Sequence, residues 1–337
     1  MSEAALLDRS PSLFAPGGPV SAAAIAELRA HPSFPNAIRT LGSGMLALYR
    51  GNRLLNMLIN DRGRMVIGYL SLYLHEGGAP DGRGSGFGVG QLKALCAAAG
   101  LASPGRTAAM LALMRMSGHI ASASAAEDKR RHILVPTEKL RAAHRDRWEC
   151  VKASLHEIRP DAAAAMHLDD PEFVAAYVRV TADHFLAGFR LIEFAPEMEL
   201  FLDRNAGLMV LFTILLAGTG DDTVPPRRPV PLSISALANR FGVSRPHVRT
   251  LLRDAEEAGL IRREDAGHLV VLPRLAEGAE IFFATALLFV TAKVANIPFD
   301  AMARAILPWI VPLLAVLVAI TLWPPLTTWL PGVVMAR

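Results

Sequence analysis

Cysteine is scarce in this sequence, with Cys96 and Cys150 the two examples among 337 residues. Two cysteines cannot supply the disulfide framework that stabilises small secreted domains, and these two lack the close spacing of metal-binding cysteine pairs. The sequence therefore excludes a disulfide-rich scaffold and a cysteine-based metal site, and it fits a reducing compartment.

A strong charge of one sign is also missing. The formal net charge is +4 and the isoelectric point is about 9.3. This balance is too mild for a polycation, so any affinity for nucleic acid must depend on where the arginines lie. Residues 1–20 contain Glu3, Asp8 and several prolines instead of a basic start and an apolar run, so we expect no cleavable signal peptide.

Motifs for catalysis and for cofactor binding are missing as well. The sequence contains no nucleophile elbow, no metalloprotease helix and no paired-cysteine motif, and His75-Glu76 lacks a second histidine at helical distance. The glycine-rich stretch at residues 77–90 has neither the preceding strand nor the glycine spacing of a phosphate-binding loop. We predict that the protein is not an enzyme and holds no cofactor or metal.

What the sequence does contain is an internal repeat, whose second copy follows the first by about 142 residues. The match extends upstream of any local motif and pairs His31-Pro-Ser-Phe34 with Asp170-Pro-Glu-Phe173, Arg50 with Arg190, and Asn60-Asp-Arg62 with Leu202-Asp-Arg204. Units of this length are domains rather than solenoid repeats. We predict five segments: a disordered amino terminus at 1–29, a first unit at 30–140, a helical connector at 141–169, a second unit at 170–275 and a hydrophobic tail at 276–337.

Each copy ends with the sequence pattern of a helix-turn-helix. In the second copy we predict helices at 235–241 and 245–258, with Ser244 as the N-cap of the second helix and Gly259 as its left-handed C′ residue. In the first copy we predict helices at 92–99 and 104–117, because Pro104 fits a first helical turn and Gly118 an end. Apolar residues at helical spacing predict further helices at 36–60, 65–74 and 200–216.

The second helix of the second copy is the strongest candidate for contact with DNA. Arg245, Arg249 and Arg253 recur every four residues and share one face, whereas apolar residues occupy the other. Arginine can bind guanine O6 and N7 in the major groove, and the polar neighbours that could add contacts are Ser244, His247 and Thr250. The alternative is a solvated charged face, balanced by Asp254, Glu256 and Glu257.

The first copy has a poorer second helix and a more basic hairpin after it. The candidate contacts on the helix are Arg106 and Thr107. The hairpin tip lies between two strand-like segments, is suited to a minor groove or to flanking phosphates, and consists of Asp128, Lys129, Arg130 and Arg131. The alternative is an ordinary polar hairpin on the surface.

These segments resemble the MarR-type winged-helix regulators, through residues 92–120, the wing Asp128-Lys-Arg-Arg-His-Ile-Leu-Val-Pro-Thr137 and residues 237–261. The resemblance implies homodimers that read a pseudo-palindrome, each subunit placing its second helix in the major groove and its wing beside it. By position, it gives the helix role to Arg106, Thr107, Arg245 and Arg249, and the wing role to Asp128 and Arg130. Unlike that family, this chain carries two units, and the second lacks the acidic residue and arginine of the wing.

The tail contains no charged side chain between residues 305 and 336, and residues 305–323 approach the length that spans a bilayer. Lys293 and Arg304 precede this run, which favours a cytoplasmic body anchored to the inner membrane. Prolines at 308, 312, 324, 325 and 331 fit equally well a broken tail packed on the body, where we expect residues 282–294 to pack. Residues 288–331 resemble the carboxyl end of the large permease subunit of TRAP transporters, without the helices of a substrate pathway.

We therefore predict a mainly α-helical fold with small β-wings, in which a tandem winged helix-turn-helix pseudo-dimer precedes a hydrophobic C-terminal helix. The predicted function is regulation of transcription by binding double-stranded DNA through two unequal heads, with lipid contact through residues 305–323. Further pairing of chains and an effector stay open. The alternatives are a protein-docking or dimerisation module with degenerate heads and, less favoured, a membrane transport component. An exposed face at Arg245, Arg249 and Arg253 that points to the same side as the Arg130 wing favours DNA, whereas a buried or oppositely directed face favours docking.

Overall fold

The computed structural model describes residues 20–49, 62–76, 86–124, 132–218, 222–264 and 267–295. In these ranges the chain is mainly helical, with two small antiparallel sheets. The predicted fold class is confirmed at this level.

The first half of the chain builds helices, a hairpin and then a long helix. Its elements are α1 (Ala22–Arg29), α2 (Phe34–Leu48), α3 (Arg62–His75), α4 (Val89–Ala98), α5 (Pro104–Met116), β1 (Ile120–Ser124), β2 (His132–Pro136) and α6 (Glu138–His156).

The second half repeats this order with added short helices. Its elements are α7 (Pro160–Ala164), α8 (Pro171–Leu186), the 3-10 helices Leu191–Phe194 and Pro196–Met198, α9 (Glu199–Leu202), α10 (Gly207–Leu215), β3 (Val230–Pro231), α11 (Ile234–Phe241), α12 (Arg245–Glu257), β4 (Ile261–Glu264), β5 (His268–Val271) and α13 (Pro273–Ala295). The elements of the two halves correspond in order along the chain. Upstream of the hairpins the pairs are α1 with α7, α2 with α8, and α3 with α10. The helix pairs and the final long helices correspond as α4 with α11, α5 with α12, and α6 with α13.

Each hairpin gains a third backbone partner from the residues just before a helix. In the first half, β1 pairs with β2, and Phe87 forms an isolated antiparallel bridge with Leu134 on β2. In the second half, β5 pairs on one side with β4 and on the other with β3, where Val230 lies opposite Leu269. The bridge and β3 hold the first helix of each helix pair against its hairpin.

The two halves contact each other through exchanged pairs of elements. Helix α2 packs against α10, and its counterpart α8 packs against α3, the counterpart of α10. In the same way α1 packs against α13, whereas α7 packs against α6. If the two halves trade places, each of these contacts becomes the other contact of its pair. This reciprocity is the pattern of an isologous interface, in which both sides present equivalent surfaces. One continuous hydrophobic core joins both halves.

Part of the segment predicted to be disordered is a helix. Ser21 caps α1, its hydroxyl accepting from the Ala24 amide at 3.3 Å, and Ile25 and Leu28 are buried. Arg29 forms an ion pair with Glu280 of α13 at 2.7 Å. The prediction for residues 1–29 is therefore wrong over Ala22–Arg29, because packing against α13 orders this alanine-rich stretch.

Helix α13 extends the second half into the predicted tail. Among the described residues, Pro273–Val294 is the one helix long and apolar enough to cross a membrane by length and composition. More than half of its most apolar window is buried inside the protein, as a core helix would be. Its packing against α1 and α8 confirms that residues 282–294 lie on the body. The proposed span at 305–323 lies outside the described residues.

Candidate nucleic-acid interface

Local sequence signals fix the geometry of α11 and α12. Gly242 ends α11 with a φ of 68°, a left-handed conformation in which glycine carries no Cβ penalty. The Ser244 hydroxyl then accepts from the His247 amide at 3.2 Å and caps α12, and Gly259 follows α12 with a φ of 68°. The predicted caps and turn are thus present.

The two faces of α12 differ sharply. Four apolar side chains lie in the core with at most 1% of their surface exposed, namely Val248, Leu251, Leu252 and Ala255. Arg245, Arg249 and Arg253 are exposed on the other side. The structure therefore places the predicted arginines together on an outward face, held from behind by α11, β4 and α9.

The three arginines are not equally available. Arg253 forms ion pairs within its own helix, at 3.0 Å to Asp254 and 3.5 Å to Glu257. The hydrogen bond to Asp254 raises the pKa of Arg253, so this guanidinium stays charged but is held by carboxylates. Arg245 and Arg249 have no ion pair with any residue in the described ranges.

The polar neighbours of these arginines are mostly occupied by contacts within the protein. The hydroxyl of Ser244 serves the N-cap. The His247 ring places Nε2 2.8 Å from the Asn205 carbonyl oxygen and so faces the body of the protein. Thr250 is half-buried. Of the residues predicted on this helix, Arg245 and Arg249 are the best placed for an external ligand.

In the first half, α4 and α5 form the corresponding pair of helices. Arg106 is exposed, as an external contact requires. Thr107 is fully buried, and its hydroxyl donates to the Ser103 carbonyl at 3.1 Å. The prediction that Thr107 contacts DNA is therefore wrong, because this position of the helix faces the core.

The predicted hairpin tip, which consists of Asp128, Lys129, Arg130 and Arg131, lies outside the described residues. The strands that lead to it are present as β1 and β2.

The second hairpin contributes two exposed arginines that the sequence reasoning missed, Arg262 and Arg263 on β4. Each has an acidic partner, Glu264 at 3.1 Å and Glu256 at 2.5 Å respectively. Two consecutive arginines in a short strand are a weak signal by themselves.

The end of α5 holds a buried histidine. His119 Nδ1 lies 2.9 Å from the Ser117 hydroxyl, and burial, with Lys139 nearby, lowers the pKa of His119 to about 4. The ring is therefore neutral at physiological pH and adds no positive charge to this head.

A cavity of about 240 Å³, lined by both charged and apolar side chains, lies where α3 and α6 meet α8. Arg141 in its wall is paired with Glu76 at 2.8 Å, and Arg145 is paired with Glu138. His75 Nδ1 is buried there without a hydrogen-bond partner among the described residues. The lining comes from distant parts of the chain, so periodicity alone could not predict this cavity. The described residues contain no cluster of metal-ligating side chains.

No protein-family model, no curated protein and no solved structure matches this chain.

Proposed function

We propose that the protein is a transcriptional regulator that binds double-stranded DNA through two winged helix-turn-helix heads carried on one chain. The first head comprises α4, α5, β1 and β2, and the second comprises α11, α12, β4 and β5. This proposal follows the resemblance to MarR-type regulators and the helix, turn, helix and hairpin order of both heads.

One observation carries the proposal. Arg245 and Arg249 project from the exposed face of a capped helix whose opposite face is fixed in the core, and they lack ionic partners in the described ranges. A helix presented in this way fits the major groove, which is about 12 Å wide, and arginine there can bind guanine bidentately. An unpaired, exposed cation also attracts phosphate at low desolvation cost.

The exchanged contacts between the halves support a pseudo-dimer inside the chain. Helices α2 and α8 take equivalent places, and so do α10 and α3. Tyr73 of α3 donates a hydrogen bond to Asp183 of α8 at 2.8 Å, which adds a polar link to this contact. Two similar heads related by an approximate twofold axis can approach two half-sites of one duplex.

The test is binding of the intact chain to a pool of genomic duplex fragments. We expect enrichment of a small set of fragments, strong loss of their affinity in R245A/R249A, and near wild-type affinity in R159A. Arg159 is a suitable control because it is an exposed arginine that precedes α7, outside both heads. Equal retention of all fragments by the three proteins would contradict the proposal.

The rival function is a docking or dimerisation module. Exposure of the three arginines of α12 favours DNA, since an apolar docking face would be expected to bury them or surround them with apolar side chains. The exposed large hydrophobic residues among those described are Val89 and Met116, both in the first head, and two residues are too few to form such a face.

We further propose that the tail tethers this regulator to a membrane. The uncharged run at residues 305–323 supports this, and a cytoplasmic body would keep both heads accessible to DNA.

A further inference from the structure

The second helices of the two heads can be compared residue by residue, because they begin with the same cap. The Ser103 hydroxyl accepts from the Arg106 amide at 3.3 Å, and the Ser244 hydroxyl accepts from the His247 amide at 3.2 Å. Both serines have extended backbone, and both helices start at the next residue. Ser103 is therefore the counterpart of Ser244.

The ends of the two helices agree with this register. The His119 amide donates to the Met114 carbonyl at 2.8 Å, and the Leu260 amide donates to the Ala255 carbonyl at 2.9 Å. In both helices, the two bonded residues follow the capping serine by the same number of residues. The buried positions coincide as well, with Thr107, Met110, Leu111 and Met114 matching Val248, Leu251, Leu252 and Ala255.

In this register, the arginine face of α12 has no counterpart on α5. The positions of Arg245, Arg249 and Arg253 are occupied on α5 by Pro104, Ala108 and Ala112. These side chains have no hydrogen-bond donor or acceptor, so they cannot bind the edge of guanine or adenine. The cations left on α5 are Arg106 and Arg115, which are exposed and fall at other positions of the helix.

We infer that base recognition in the major groove is confined to α12 of the second head, and that the protein binds an asymmetric operator. Arg245 and Arg249 determine the sequence of one half-site, whereas the first head holds the other half-site through phosphate contacts. This inference rests on the proposed binding of DNA. It differs from recognition by a symmetric dimer, in which identical helices select the two halves of a palindrome equally.

Selection of duplexes by the intact chain from a random library tests the inference. We expect one half-site with defined guanines and a neighbouring half-site of weak sequence preference. Replacement of a selected guanine should weaken binding about 5- to 150-fold, and replacements in the other half-site by less than about threefold. R106A should weaken all duplexes by a similar factor, since a phosphate contact carries no sequence information.

A gain-of-function variant provides the sharper test. A108R/A112R restores two positions of the arginine face on α5, and we expect it to select guanines in the second half-site. If this variant does not fold, A112R alone serves, because residue 112 is exposed. A palindrome with equal preference in both halves for the wild-type chain would overturn the inference while supporting DNA binding. Absence of binding to any duplex would instead overturn the proposed function.

Discussion

Arg204 and Asp254 form an ion pair of 2.8 Å between the loop that precedes α10 and the outer part of α12. Asp254 also accepts a hydrogen bond from Arg253 at 3.0 Å and is 19% exposed. One carboxylate thus connects the arginine helix to the body of the second half and partly neutralises one of its three outward cations.

The shared carboxylate predicts an order of importance among the arginines. R249A should cost about 1 to 3 kcal/mol of binding free energy and relax the base preference in one half-site. R253A should cost less, because its guanidinium must leave Asp254 and Glu257 before it contacts DNA. Isothermal titration with the selected duplex measures both. A larger loss for R253A than for R249A would contradict this assignment.

The contact between the halves predicts a position that cannot accept a methyl group. A Cβ atom at Gly42 on α2 would lie 2.7 Å from Phe212 Cδ1 and 2.9 Å from Leu216 Cδ1, in the second half. Overpacking of this kind costs about 1 to 3 kcal/mol, so G42A should lower the free energy of unfolding by that amount. Gly90 on α4 has open space around it, and G90A should stabilise by about 0.5 to 1 kcal/mol. If denaturant unfolding shows that G42A is as stable as G90A or more stable, this packing is contradicted.

Buried histidines predict a loss of stability in acid. Burial, with Arg147 and His119 nearby, lowers the pKa of His144 to about 3 from an ordinary value of 6.5. Between these values the unfolded chain binds a proton that the folded chain does not. Stability therefore rises with pH across this window and falls on acidification, by about 1.4 kcal/mol per pH unit for one histidine.

The variant H144F should lose about 1.4 kcal/mol per pH unit from the slope of unfolding free energy against pH near pH 5. Phenylalanine keeps a ring beside Tyr69 and Trp148 but cannot bind a proton. H156Q is the control, since His156 is exposed. Unfolding measured from pH 4 to 7 decides the point, and identical slopes for wild type and H144F would exclude His144 as a source of acid sensitivity.

The tail predicts attachment to membranes. We expect the intact chain to stay in the membrane fraction after an alkaline carbonate wash, because residues 305–323 favour hydrocarbon over water. Truncation after Asp300 keeps α13 and should release the protein. Release of the intact chain, or retention of the truncated one, would rule out this segment as the anchor.

Elements with strong local signals could be predicted from the sequence. The capping serine and the glycines of the second head define α11, its turn and α12 without any knowledge of distant contacts. The spacing of apolar residues likewise predicted helices at 65–74 and 200–216 upstream of the two heads. The first lies within α3, whereas the second is divided into α9 and α10 by Ala206, whose φ is 58°.

Features that depend on distant contacts could not be predicted. Phe87 follows a glycine-rich stretch, and its bridge to Leu134 requires a partner 47 positions later in the chain. The orientation of His247 is set by the carbonyl of Asn205, which only the tertiary structure brings near. Thr107 looked like a surface contact beside Arg106, whereas helical rotation places it in the core.

Binding of the exposed arginines and the hairpins to the phosphates and bases of duplex DNA predicts an affinity that falls as salt rises. Affinity for an enriched duplex should be measured from about 50 to 300 mM salt. We expect a straight line of log affinity against log salt with a slope of about −4 or steeper, as release of several counterions requires, and R130A should flatten it by roughly one. An affinity that does not change with salt would contradict DNA binding by this protein.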